Sequence, residues 1–328
     1  MFGQSKRYLT YAWCLSIGII LSIILSVFHH DLAIAASKDI LTSEVAKSTS
    51  DVTLLQAIVL GFVQGATEFI PISSTAHLKA VPIFLGWGDP GVSFSAMIQL
   101  GSIAAVISYF RSDLAKILTG MIKAIRNSNY QSQDFWLAVG IGLGSIPIII
   151  FGLILTIFEP AFYENTLRSM PSIAIVSIVM ALLLALAEYV GSQKRNFEDL
   201  TAKDGILIGL AQALAIIPGV SRSGSTMTAS LFNNIDRASA ARFSFLLGIP
   251  AISIAGLVGL KDLVDHGAGS GGYLPLIAGL ISSAVFSYLA IAWLLKFLQR
   301  RSTWVFVWYR LGFGVFILVS LALGWIKS

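Results

Sequence analysis

Charge is what this chain lacks: only 12% of its 328 residues are Asp, Glu, Lys or Arg and its mean hydropathy is +0.81, whereas a soluble domain carries about 25% charged residues. A water-soluble core is excluded. A single cysteine, Cys14 in the first apolar run, rules out a disulfide framework and a thiolate metal centre. Histidine is scarce too. Of the four, His29 and His30 flank the first apolar run and His266 sits in a Gly-rich loop, where it reads as solvated; His77 alone lies in a polar stretch between apolar ones. The net charge of +5 comes mainly from Lys and Arg in short loops between apolar runs, so it reads as membrane orientation and not as a nucleic-acid surface.

What is present in abundance is apolar sequence in runs of about twenty residues, the length that crosses a hydrocarbon core as a helix. Six full spans are expected, near 93–110, 135–157, 171–190, 243–260, 273–295 and 303–325. Basic residues concentrate in alternate loops: Arg111 to Arg126, Lys194 to Lys203, Arg237 with Arg242, and Lys296 to Arg301. Those loops read as cytoplasmic. Ahead of the spans, Lys6 and Arg7 precede an apolar stretch from Ala12 to Phe28, and Ala33 and Ala35 have cleavage-site spacing. Residues 1–36 therefore read as a secretory signal or an extra membrane helix, and 37–53 as an extracytoplasmic linker.

The charge alternation holds only if 54–90 and 205–236 each return to the side from which they enter. Each would then be a helix hairpin broken inside the membrane, tolerated where protein or a wet cavity surrounds the break. The two segments also resemble each other. Gly61 and Gln64 recur as Gly209 and Gln212, Pro71 with Ser74 as Pro218 with Ser221, and Phe94 with Ser95 as Phe243 with Ser244. The expected fold is thus an all-α polytopic membrane protein, a single membrane domain over 54–328 built as an inverted repeat (54–190 and 205–325). Such repeats place a site near the midplane where half-helices meet.

The breaks carry the chemistry. The first runs Gln64, Gly65, Ala66, Thr67, Glu68, Phe69, Ile70, Pro71, Ile72, Ser73, Ser74, Thr75, Ala76, His77; the second runs Pro218, Gly219, Val220, Ser221, Arg222, Ser223, Gly224, Ser225, Thr226. A guanidinium at membrane depth among hydroxyls and glycine amides suits a phosphate. His77, in the first turn of the second half-helix, offers a nitrogen lone pair as base or nucleophile, and Glu68 can orient it or hold a cation. Ser223, Ser225 or Thr226 can cap the helix after Arg222. Gln99 either reaches the cavity or bonds another helix. Arg310 is expected to snorkel to the cytoplasmic interface, and Glu188 and Asp236, at span ends, to be solvated.

At these two motifs the chain resembles the undecaprenyl-diphosphatase family of bacterial membrane enzymes associated with bacitracin resistance, over roughly 52–326. The resemblance implies removal of the terminal phosphate of undecaprenyl diphosphate in the bacterial plasma membrane, with an active site open to the outer face. It implies a divalent cation, Mg²⁺ or Ca²⁺, with Glu68 as its carboxylate. It gives functional weight to Glu68, Ser74 and His77 in the first motif and to Ser221, Arg222 and Thr226 in the second; Gln64, Gln99, Ser223 and Gly224, read from their places beside these, are expected as further substrate contacts. Gln64 stands where many members have a glutamate, which leaves one carboxylate, and not two, for a cation. Whether Ser74 or His77 is the nucleophile stays open at this stage, as does the number of copies, a homodimer included. The rival is a carrier of a phosphorylated lipid or anion using the same repeat.

Overall fold

The computed structural model describes residues 52–266 and 272–326. The signal-like segment and nearly all of the linker lie outside the described residues. The fold is all-α. Its helices are α1 (Leu54–Glu68), α2 (Ser74–Phe84), α3 (Gly91–Tyr109), α4 (Arg111–Arg126), α5 (Gln133–Phe158), α6 (Met170–Val190), α7 (Ala202–Ala213), α8 (Arg222–Phe232), α9 (Arg237–His266), α10 (Tyr273–Leu298) and α11 (Trp304–Ala322), with short helical turns between some of them.

Among the described residues, five helices are each long and apolar enough to cross a membrane: α5, α6, α9, α10 and α11. The sixth expected span is α3, which qualifies together with α4, from which it bends by 72°. The basic segment after α3 is thus a helix and not a loop. Its Leu118, Ile122 and Ile125 are exposed on one stripe, while Ile117 and Ala124 are buried, the pattern of a helix lying along an interface.

Packing follows an exchange between the two halves. α1 packs on α10 and α7 on α5; α3 packs on α10 and α9 on α5; α3 meets α9, and α6 meets α11. Each relation in one half has its partner in the other, so each broken hairpin leans on the other half's helix. The glycines noted in the sequence sit at these crossings. A Cβ on Gly61 would strike the Gly279 carbonyl of α10, and one on Gly209 would strike the Gly144 carbonyl of α5. Absence of a side chain lets the backbones touch, the usual device where lipid supplies no hydrophobic drive between helices.

Both hairpins break in the same way. Ser73 before α2 and Ser221 before α8 have left-handed backbones, with φ of 76° and 71°. Such a conformation costs about 1–3 kcal/mol in a non-glycine residue and marks sites the surroundings over-determine. This geometry corrects the repeat register: Ser73, not Ser74, is the counterpart of Ser221, and Ser74 that of Arg222. Gly219 is the extra residue of the second break. The capping expectation changes too. Ser221 caps α8 by accepting from the Gly224 amide (3.0 Å), whereas no side chain caps α2.

Glu188 is buried, not solvated: it accepts from Arg237 and from the Thr303 hydroxyl (2.8 Å). Asp236 receives the Ser239 amide (3.0 Å) and hydroxyl (2.6 Å) at the start of α9. Glu188 therefore fastens three helices together, and Asp236 caps the start of its own.

Candidate active site

The end of α1, the start of α2 and the start of α8 meet around a polar cavity of ≈ 170 Å³ lined by Glu68, Ser74, Gln99, Ser221 and Arg222 among others. Glu68 is the hub. Its Oε2 accepts from the Ser74 hydroxyl (2.6 Å) and from Gln64 Nε2 (3.0 Å), and its Oε1 lies 3.5 Å from Gln99 Nε2 and 3.6 Å from Arg222 Nη2. Gln64 is held from behind by Ser102 (3.4 Å), which in turn bonds Ser283 (3.1 Å) and Ser287 (2.8 Å). A hydroxyl ladder on α3 and α10 thus sets the amide that sets the carboxylate.

Arg222 is poised and under-used. Its Nη1 donates to the Ser244 carbonyl (2.9 Å), but among the described residues Nε and Nη2 make no hydrogen bond, Nη2 having only the 3.6 Å ion pair with Glu68. Leaving buried guanidinium donors unpaired is costly, so the arrangement calls for an acceptor. Ser73, Ser74 and Thr75 at the start of α2 line the same cavity and no side chain among the described residues caps that helix; a free helix N-terminus favours an anion. Glu68 is the one carboxylate lining the cavity, and a second buried guanidinium, that of Arg310, lies behind it.

Room for Arg222 is made by Gly248 on α9, where any Cβ would collide with the guanidinium. Gly248→Ala is expected to lower kcat/KM by about 10²-fold through displacement of Arg222, while alanine's better helix propensity leaves the melting temperature little changed. Steady-state kinetics beside a thermal melt read this out; an unchanged kcat/KM would mean Arg222 need not sit where it does.

His77 does not join Arg222 in lining the polar cavity. It lines neither the polar cavity nor its apolar neighbour. Its Nδ1 lies 2.7 Å from the Ser73 carbonyl, which can only accept, so in the neutral ring Nε2 accepts from the Tyr309 hydroxyl at 2.7 Å. The ring stacks on Phe313 at 4.3 Å. Ser223, Gly224 and Thr226 also stand behind the cavity: Ser223 Oγ donates to the Ile70 carbonyl (3.1 Å), and Thr226 pairs with the Ser244 hydroxyl (2.6 Å). Gln64, Gln99 and Ser221 do reach cavity walls.

The polar cavity shares Ser74, Thr75 and Gln99 with an apolar one of ≈ 400 Å³ running between α5 and α9, past Leu153, Ile254 and Val258, to Tyr163, Glu164 and Arg168. At that end Arg168 forks onto Asp89 (2.8 Å to each oxygen) and reaches Glu164 (3.1 Å). Burial opposes its charge, but the Asp89 pair outweighs this and raises its pKa above the ordinary value.

Sequence reasoning missed Tyr309, Arg310, Gly248 and the Ser102, Ser283, Ser287 ladder. Arg310 was visible as a charge inside a span; its expected snorkelling is overturned by an exposure of 1%. The serines gave no signal beyond polarity within apolar helices.

Residues 57–316 match the family model described as bacitracin resistance protein BacA. A Synechocystis protein named undecaprenyl-diphosphatase is 58% identical, covering 98% of this chain and 99% of its own length. Relatives of the same name from Nostoc (60% identical, 84% of this chain, 86% of theirs) and Synechococcus elongatus (56%, 87% and 99%) agree. With the family model and these relatives spanning most of the chain, the protein belongs to the BacA family.

Proposed function

We infer that this protein is an undecaprenyl-diphosphatase, a membrane phosphohydrolase that takes the terminal phosphate from undecaprenyl diphosphate and returns the monophosphate carrier to cell-wall synthesis. The observation that carries the reading is the Arg222 guanidinium with two free donors opposite a Glu68 carboxylate hydrogen-bonded to Ser74. The diphosphate meets Arg222 and the start of α2, and the isoprenoid tail follows the apolar cavity. Attack by Ser74 Oγ on the terminal phosphorus, its proton passing to Glu68, breaks the bond to the bridging oxygen and releases prenyl phosphate. Water then cleaves the phosphoserine. Arg222 stabilises charge on the transferring phosphoryl oxygens. A lone carrier site would have less use for a serine bonded to a carboxylate, so the pairing favours hydrolysis over transport.

The apolar cavity ends at the 159–168 connection, which carries few basic residues; this supports access from the extracytoplasmic side. Among the described residues no cluster of three or more His, Cys, Asp or Glu that could hold a metal is present. One carboxylate beside amides suits a cation that arrives on the diphosphate, since Mg²⁺ is commonly held by one or two carboxylates together with substrate phosphates. Glu68 would hold such an ion, which neutralises phosphate charge when bound. Purified protein in detergent tests the reading. Phosphate release from long-chain prenyl diphosphate, slower release from a short-chain one, and loss on chelation with recovery on Mg²⁺ or Ca²⁺ are expected. No release without a second membrane compartment would favour a carrier.

A further inference from the structure

Arg310 is among the largest fully buried side chains of the protein, and its hydrogen-bond partners are all backbone carbonyls. Nη1 donates to Pro71 and to Val220 (3.1 Å each), Nη2 to Gly219 (2.6 Å), and Nε reaches Ser177 (3.4 Å). Pro71 stands three residues before Ser74; Gly219 and Val220 stand three and two before Arg222. One planar group therefore grips the breaks of both hairpins just ahead of the two helices that bring Ser74 and Arg222 to the cavity. Broken backbone inside a bilayer leaves carbonyls that water cannot serve, and five donors in a fixed plane can satisfy several at once, which an ammonium on a flexible stem does not reproduce.

The surroundings are shaped to it. A Cβ on Gly224, in the first turn of α8, would lie 2.7 Å from Nη1. Ser223 donating to Ile70 supplies a second tie between the same two breaks. Arg310 lines neither cavity. Its influence on the reaction must therefore pass through the residues it holds.

We propose that Arg310 is a positioning residue for the hydrolysis, bolting one hairpin break to the other and so setting where the Ser74 hydroxyl stands relative to the Arg222 guanidinium. This rests on the reading of Ser74 and Arg222 given above. The test compares kcat, KM and melting temperature, per folded molecule, for Arg310→Lys and Gly224→Ala in detergent. Gly224→Ala keeps the charge and suits a helix, but pushes Nη1 aside and also crowds the Ser221 side chain (3.0 and 3.1 Å), so its effect is read together with that of Arg310→Lys. Both are expected to lower kcat by about 30-fold or more, with KM changed less than threefold and, in Gly224→Ala, a melting temperature that does not fall. A kcat within threefold of the unaltered protein in either variant overturns the proposal, as does a loss of active fraction with normal kcat in the remainder. Activity persisting in Ser74→Ala and Arg222→Ala would sink the site reading and this one with it; a flat Arg310 result beside two dead site variants sinks the bolt alone.

Discussion

Arg222→Ala is expected to lower kcat/KM for a long-chain prenyl diphosphate by about 10³-fold or more, the scale seen when an arginine that stabilises phosphoryl transfer is removed. Among the described residues its guanidinium makes one hydrogen bond, to the Ser244 carbonyl, and a looser ion pair through Nη2 with Glu68 at 3.6 Å, while Nε and Nη2 make no hydrogen bond. The group thus contributes little to holding helices together and much to receiving an anion. Arg222→Lys is expected to stay within about tenfold of the alanine variant, because two donors in one plane match a phosphate as a single ammonium cannot. Phosphate release from purified protein, with substrate retention measured separately, checks both. Release from the alanine variant within tenfold of the unaltered protein would remove Arg222 from the site.

The broken hairpins could be read from the sequence because the physical constraint is severe. Charge alternation failed unless 54–90 and 205–236 each turned back, and prolines, glycines and hydroxyls marked where. The recurrence of Gly61 as Gly209 likewise foretold a shared role, and both sit at backbone-to-backbone crossings. The register at the breaks was a different matter. Pairing Ser74 with Ser221 respected the spacing from the prolines, yet the left-handed residues are Ser73 and Ser221; one added glycine in the second break is invisible to a count of residue types. Arg310 failed for another reason. An arginine near the end of an apolar run satisfies the snorkelling rule, and only the three-dimensional meeting of two breaks supplies the carbonyls that make burial tolerable. Gly248 was illegible because its role is the space it leaves for a side chain far away in sequence.

Ser74→Ala and His77→Gln separate the two nucleophile candidates that sequence alone left level. Ser74 lines the polar cavity with its hydroxyl bonded to Glu68 at 2.6 Å, so its loss is expected to cut kcat by about 10³-fold or more, as for residues acting together in a covalent step. His77, one turn along α2 from Ser74, lines neither cavity and is held between the Ser73 carbonyl and the Tyr309 hydroxyl, with Phe313 against its face. Glutamine can still donate to the first and accept from the second, so His77→Gln is expected to lose about tenfold or less, in line with a positioning role. To attack phosphorus His77 would have to leave both partners and its ring stack. Should His77→Gln lose about 10³-fold at an unchanged melting temperature while Ser74→Ala keeps a tenth of its activity, the roles are exchanged and that movement must occur in the catalytic cycle.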